Sequence, residues 1–262
     1  MFAKQMGLNL IKYRKATVSS QSLMAKAFGV SLAQYRKYEK GVDLPKMHSV
    51  ARWSIITGAP VYLLLSDTEY APYLNLSHCY WQHSPFFCTV SHANENTFQS
   101  LLSLSKEIMG NREVSEPYPH KVPSLLDVLQ DIDSHYYVKV ARNMKFIRQH
   151  LELTQEQVSE LLDISDTTYR QYEKEVNQPR IPFSFFALSH AIFQLDDQWN
   201  KTGSSDFARF NHRKHWRLEQ LIPLINQADS DQLEKVKTLF NSVAKGLIEE
   251  QLQHSLSEYC QT

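Results

Sequence analysis

The sequence predicts an all-α protein in which one helical unit occurs twice, with a helical segment between the copies and a helical tail behind them. Two observations carry that expectation. The chain repeats itself at an offset of 134 residues, and its apolar residues recur at helical spacing within each copy. A third supports it: Gly 7 in 262 residues is too few for a turn-rich β-sandwich or for Gly-rich phosphate loops. The expected divisions are 1–70, 71–134, 135–200 and 201–262.

Residues 20–45 and 154–179 align without a gap, and 9 of the 26 positions are identical. They include the pairs Tyr35/Tyr169, Arg36/Arg170, Tyr38/Tyr172, Glu39/Glu173 and Pro45/Pro179, and upstream Arg14 matches Arg148. In the first copy a helix starts at Gln21, with Met24, Ala27 and Phe28 on its apolar face and Gly29 in the turn. Ser31 then caps a helix that buries Tyr35 and Tyr38. MHSVARWSIITGAPVYLLLSD continues the unit after Pro45.

The connecting stretch is aromatic-rich and broken by Pro72 and Pro85. A helix is expected over Thr97–Met109, a linker at EVSEPYPHKVP, and a further helix start near Ser124. His78, Cys79, His83, Cys88 and His92 lack the tight ligand pairs of structural zinc sites. They read as buried thiols with surface histidines, and no metal or cofactor is expected.

In the second copy Thr154 and Gln157 form a capping box, and Val158, Leu161 and Leu162 supply an apolar face. Asp163 stops that helix, Ser165 caps the next, and Tyr169 and Tyr172 are its buried pair. The tail reads as two helices. One, FARFNHRKHWRLEQLIPLI, is basic at its start. The other is capped near Asp229 or Ser230 and carries a stripe of Leu233, Val236, Leu239, Phe240, Val243, Leu247 and Leu252. The stripe reads as intramolecular core, with a homodimer seam as its alternative.

Formal charge is +0 overall, yet residues 1–66 hold 10 Lys+Arg against 2 Asp+Glu. Residues 135–200 hold 7 against 9. The basic first segment has the footprint of a polyanion-binding module. No apolar run approaches the roughly 18 residues that span a bilayer. Three cysteines make no disulfide framework, and there is no P-loop, Rossmann fingerprint, GxSxG or HExxH. A non-enzymatic cytoplasmic protein is expected.

Two short helices joined by a three- or four-residue turn make a helix-turn-helix. Both copies resemble the Cro/CI-type (XRE-like) helix-turn-helix domain of phage and bacterial repressors. Gln at the start of the second helix, Ser as the next cap, the Tyr and Glu that follow and the downstream Pro carry the likeness. The resemblance implies structural ion pairs Arg14–Glu39 and Arg148–Glu173. It implies base-reading positions at Leu32, Ala33 and Lys37 in the first copy and at Asp166, Thr167 and Gln171 in the second. Gln21 and Gln155 would sit on phosphate, as would Arg36, Lys40, Lys46, Arg170 and Arg180.

The resemblance implies a transcriptional regulator, bacterial nucleoid-associated or phage-encoded, that reads double-stranded DNA as a pseudo-dimer within one chain. A second reading gives DNA to the first copy alone and makes the second copy and tail a docking site for a protein partner, in the manner of an antitoxin or antagonist.

Overall fold

A computed structural model describes residues 1–17, 19–73, 79–111, 116–177, 179–193 and 205–259, with backbone alone for 79–80, 205–208, 245 and 248–259. The fold is all-α. The first repeat holds α1 (Phe2–Ala16), α2 (Gln21–Phe28), α3 (Leu32–Glu39) and α4 (Met47–Thr57). A 3₁₀ turn, Val61–Leu65, follows and buries Leu63, Leu64 and Leu65 against α1. Asn9 of α1 holds that turn by donating to the carbonyls of Leu64 at 3.1 Å and Ser66 at 2.5 Å. Phe28 and Tyr13 close the core around Trp53, which is fully buried.

The connecting segment contains α5 (Cys79–Gln82), α6 (Phe87–His92) and α7 (Glu95–Ile108). Asn94 caps α7 by accepting from the Thr97 amide. The next helix, α8 (Leu125–His150), begins on a Ser124/Asp127 capping box and runs unbroken for 26 residues. It passes through 134/135 without interruption, so its first half belongs to the connecting segment and its second half opens the second repeat. There follow α9 (Gln155–Leu161), α10 (Asp166–Tyr172) and α11 (Phe183–Phe193).

The tail forms α12 (Ser205–Gln227) and α13 (Ser230–Tyr259), the latter started by a reciprocal cap between Asp229 and Gln232. Val236 and Phe240 of the apolar stripe are buried, with Phe240 edge-on to Phe86 at 5.1 Å. The stripe is thus spent inside the chain as far as Ala244, and the side chain of Leu252 lies outside the described residues. Arg217 of α12 is fully buried; it donates to the carbonyls of Val90 and Ala93, pairs with Glu95 at 2.7 Å and lies over Phe98. That one side chain locks the tail onto the α6–α7 corner.

The two repeats share one hydrophobic core. α4 packs along α8, and between the repeats the backbone makes an antiparallel bridge, Lys46 against Pro182. Its two hydrogen bonds run from Met47 N–H to Ile181 C=O and from Phe183 N–H to Pro45 C=O, each 3.0 Å. The bonds are reciprocal, as in any antiparallel bridge, and they tie the end of the first helix-pair unit to the end of the second. Two His–Tyr contacts flank the bridge: His48 Nδ1 with the Tyr137 hydroxyl at 2.8 Å, and His190 Nε2 with the Tyr62 hydroxyl at 3.3 Å.

Three expectations need correction. Leu161 is 48% exposed, whereas the aligned Ala27 is buried. Val158 and Leu162, one turn apart, face the core, and Leu161 is rotated off that line by about 100°. His83 and His92 are not surface residues. His83 is fully buried, and His92 donates from Nε2 to the Ile56 carbonyl at 2.9 Å. Tyr172 is only half-buried, its ring edge-on to Phe185 at 5.0 Å.

Candidate nucleic-acid interface

In the first repeat Ser20 caps α2 by accepting from the Leu23 amide, and Ser31 caps α3 by accepting from the Gln34 amide. Between them the backbone turns left-handed at Gly29 (φ 66), where a Cβ would also press within 2.9 Å of Arg52. Helix α3 buries Tyr35, Tyr38 and Glu39. Its outer side leaves Ala33, Arg36, Lys37 and the following Lys40 exposed, with Leu32 half-buried.

Glu39 is the hub that orients α3. Its carboxylate accepts from Arg14 Nε at 2.6 Å and Nη2 at 3.3 Å, and from Gln21 Nε2 at 2.6 Å. Burial pushes the Glu39 carboxyl up, but these donors outweigh it and hold the group below the ordinary carboxylate range. Gln21 passes the chain on, its Oε1 accepting from Arg36 Nε at 3.3 Å. Helix α1 also approaches the end of α3 very closely: a Cβ at Gly7 would lie 2.6 Å from the carbonyl oxygens of Tyr38 and Glu39.

The second repeat builds the same hub. Thr154 and Gln157 satisfy each other's amides in a capping box, and Ser165 caps α10 through the Thr168 amide. Asp163 takes the left-handed position that Gly29 holds in the first repeat, at φ 49. Glu173 accepts from Arg148 Nε at 2.7 Å and Nη2 at 3.0 Å, and from Gln155 Nε2 at 2.8 Å. The two hubs match donor for donor, each Arg–Glu pair 25 residues apart.

Beyond the hubs the repeats part. Arg170 does not reach Gln155; its Nε donates to Asp166 on the same helix at 2.6 Å. Thr167 and Gln171 are exposed and Asp166 is half-buried. Gly41, left-handed at φ 66 with the Lys4 backbone where its Cβ would stand, is replaced by Glu175. The second repeat cannot repeat that approach. Glu175 pairs with Arg142 instead, and Asn177 takes the left-handed turn (φ 52).

Residues 144–184, from the last two turns of α8 to the start of α11, match the family model described as helix-turn-helix. This segment is a helix-turn-helix. No curated protein and no solved structure matched the chain. The matched segment contains the Arg148–Glu173 hub, both caps and the whole of α10, so the helix-turn-helix of the second repeat is centred on Thr154–Tyr172.

The residues expected to meet nucleic acid fall on the two helix pairs and the turns after them. Arg36, Lys37, Lys40 and Lys46 are exposed in the first repeat, and Arg170, Gln171 and Arg180 in the second. Gln21 and Gln155 are half-buried, and their amide nitrogens are engaged by the hub glutamates. Sequence reasoning missed Gln34, whose amide donates to Asp43 at 2.6 Å and braces the turn after α3. It also missed Asn9, although Asn143 matches it at the repeat offset.

Between the repeats lies a polar cleft whose charged lining is Lys26, Arg52, Asp133, Glu175 and Arg180, with His48 beside them. Burial first, then the charge of Arg180, lowers the His48 pKa to about 4. Among the described residues no group of three His, Cys, Asp or Glu side chains is placed to hold a metal ion, and no helix is long and apolar enough to cross a membrane. Burial pushes the Cys88 thiol up to about 12.

Proposed function

We propose that this chain is a DNA-binding transcriptional regulator of the Cro/CI type that reads double-stranded DNA through both repeats, as a pseudo-dimer within one polypeptide. The observation that carries the reading is the hub built twice, Arg14 and Gln21 on Glu39 behind α3 and Arg148 and Gln155 on Glu173 behind α10. Dimeric helix-turn-helix proteins dock two recognition helices on half-sites one helical turn apart, and protein symmetry mirrors operator symmetry. Here the two copies lie in one chain and α3 differs from α10, so the half-sites differ in sequence. Arg36, Lys37, Lys40 and Lys46 supply the cationic contacts of the first repeat, with Gln21 orienting Arg36. Lys37 suits guanine O6/N7 and Gln171 suits adenine N6/N7.

Selection of fragments from a random DNA library by the full-length protein tests this. The expected motif is asymmetric and two-part, its halves spaced by about 10–10.5 base pairs or a multiple. Recovery of a single short half-site would overturn the two-reader form.

One observation favours a narrower reading in which the first repeat alone grips DNA. The outer side of α9 and its turn carries Glu156, Glu160 and Asp163, where the first repeat has Ser22, Lys26 and Gly29. Reversing charge separates the readings. In the two-reader form Arg36→Glu and Arg170→Glu both weaken binding to the selected site, whereas in the one-reader form only Arg36→Glu does.

A further inference from the structure

The two helices assigned to the major groove treat a shared arginine differently. In α10, Arg170 Nε donates to Asp166 Oδ2 one turn earlier, at 2.6 Å. The corresponding residues of α3 are Leu32 and Arg36. Leu32 offers no acceptor, and Arg36 turns to the neutral amide of Gln21. The side chains of Arg170 and Asp166 are 55% and 40% exposed, so their pair adds little to folding stability. Its consequence lies in the charge presented to a polyanion. Arg36 brings a full positive charge to the surface of α3, while Arg170 arrives at the surface of α10 already neutralised.

Asp166 also has acceptor capacity left over. Its second oxygen, Oδ1, has no hydrogen-bond partner among the described residues and is shielded from solvent, so the carboxylate has to rotate before a base can reach it. Guanine and thymine present acceptors in the major groove, and a carboxylate is repelled by them. Adenine presents a donor beside the N7 acceptor. Cytosine presents the N4 amino group with no acceptor on its own major-groove edge, which is the edge a carboxylate fits.

We infer that Asp166 is a specificity-determining residue that competes with DNA phosphate for Arg170 and releases it only where cytosine N4 donates to the carboxylate in its place. On ordinary sequence the pair stays closed and the second repeat adds almost no grip. At a half-site with cytosine facing the start of α10, the carboxylate turns to the base and the freed guanidinium takes a phosphate. The inference deepens the two-reader proposal and rests on it.

The test uses full-length protein carrying Asp166→Asn, Asp166→Ala, Arg170→Ala or Arg36→Ala. Each is titrated against the selected duplex and a scrambled duplex across a salt series, with circular dichroism confirming an unchanged melting midpoint. Freeing Arg170 is expected to tighten scrambled-duplex binding about threefold to tenfold and to steepen the log K against log salt slope by about 0.9, the counterion release for one added phosphate contact. Reselection with Asp166→Ala is expected to lose cytosine at one position of the second half-site. Arg170→Ala should leave the slope on scrambled DNA unchanged, while Arg36→Ala flattens it by about 0.9. Unchanged slope and unchanged base preference in both Asp166 variants would overturn the inference while leaving the two-reader proposal standing. Wild-type protein showing no salt-sensitive affinity for any duplex would remove the proposal itself.

Discussion

Lys46 and Pro182 stand opposite each other at the seam between the repeats, in the one place where backbone pairs with backbone across that boundary among the described residues. Neither central residue donates in this bridge, whose donors are the following residues Met47 and Phe183, so a proline without an N–H fits it. Both of these residues are buried. Their amides are therefore expected to exchange with deuterium only through global unfolding, as slowly as the most protected amides of α4. Exchange at the rate of exposed loop amides would mean that the halves separate in the native state.

Each hub glutamate holds two donors in a nearly closed environment, with side-chain exposure of 5% for Glu39 and 4% for Glu173. Removing the acceptor strands a guanidinium and an amide. Glu39→Ala and Glu173→Ala should each cost about 3 kcal/mol by urea unfolding, the range for breaking a buried pair. Replacing Arg14 and Glu39 together with methionine should cost clearly less than Glu39→Ala alone. Equal losses would show that packing, not charge compensation, is the function of the pair.

Alanine normally favours a helix over glycine by about 1 kcal/mol. At Gly7 the opposite is expected, because the added Cβ meets two carbonyl oxygens of α3 at 2.6 Å. Gly7→Ala should lower stability by about 1–3 kcal/mol, the range for overpacking a well-filled core. It should also loosen DNA binding through a displaced α3. A stabilised variant would mean that α1 and α3 are not held at this separation in solution.

Stability should fall as the solution is acidified below neutrality. His48 and His92 have folded pKa values lowered to about 4 by burial first, with neighbouring arginines adding to the effect. Above the ordinary histidine value of 6.5 neither state is protonated at these sites and they contribute no pH dependence. Between 6.5 and about 4 the unfolded chain binds protons that the folded chain refuses, so stability declines across that window. Below it the hub glutamates continue the decline, since the stability their lowered pKa values confer is complete above the unfolded carboxylate value and lost as pH falls through the folded one. The urea midpoint at pH 5 should lie below that at pH 7, and His48→Gln should shrink the difference. A flat profile over this range would contradict the burial of both rings.

Much of this architecture was legible in one strand of text because the repeat marks it twice. The caps at Ser31, Thr154 and Ser165 and the start of α13 follow from local chemistry, which a sequence displays directly, whereas the pairing of Arg14 with Glu39 came from the family resemblance. What the apolar faces meet is not local. Periodicity announces that α4 and α8 have buried sides, but not that those sides face each other, and it cannot separate Leu161 from Leu162 when both are apolar. The continuity of α8 through 134 was hidden for a related reason. The capping signal at Ser124 and the onset of the second repeat looked like two events, although the absence of glycine and proline between them was the sign of a single helix. The arginines at 36 and 170 are identical in sequence, and the residue one turn earlier, Leu32 or Asp166, decides where each one turns.

That unbroken α8 makes the molecule a ruler. Its 26 residues extend for about 39 Å as a single rod. It packs against α12 and α13, its C-terminal end carries Arg148 of the second hub, and α4 of the first repeat lies along it. A flexible tether would let two readers accommodate half-sites at many separations. A stiff one permits a single pitch, so an operator lengthened by one base pair should lose the second contact rather than stretch to keep it, and a series of spacer lengths would display the graduation directly.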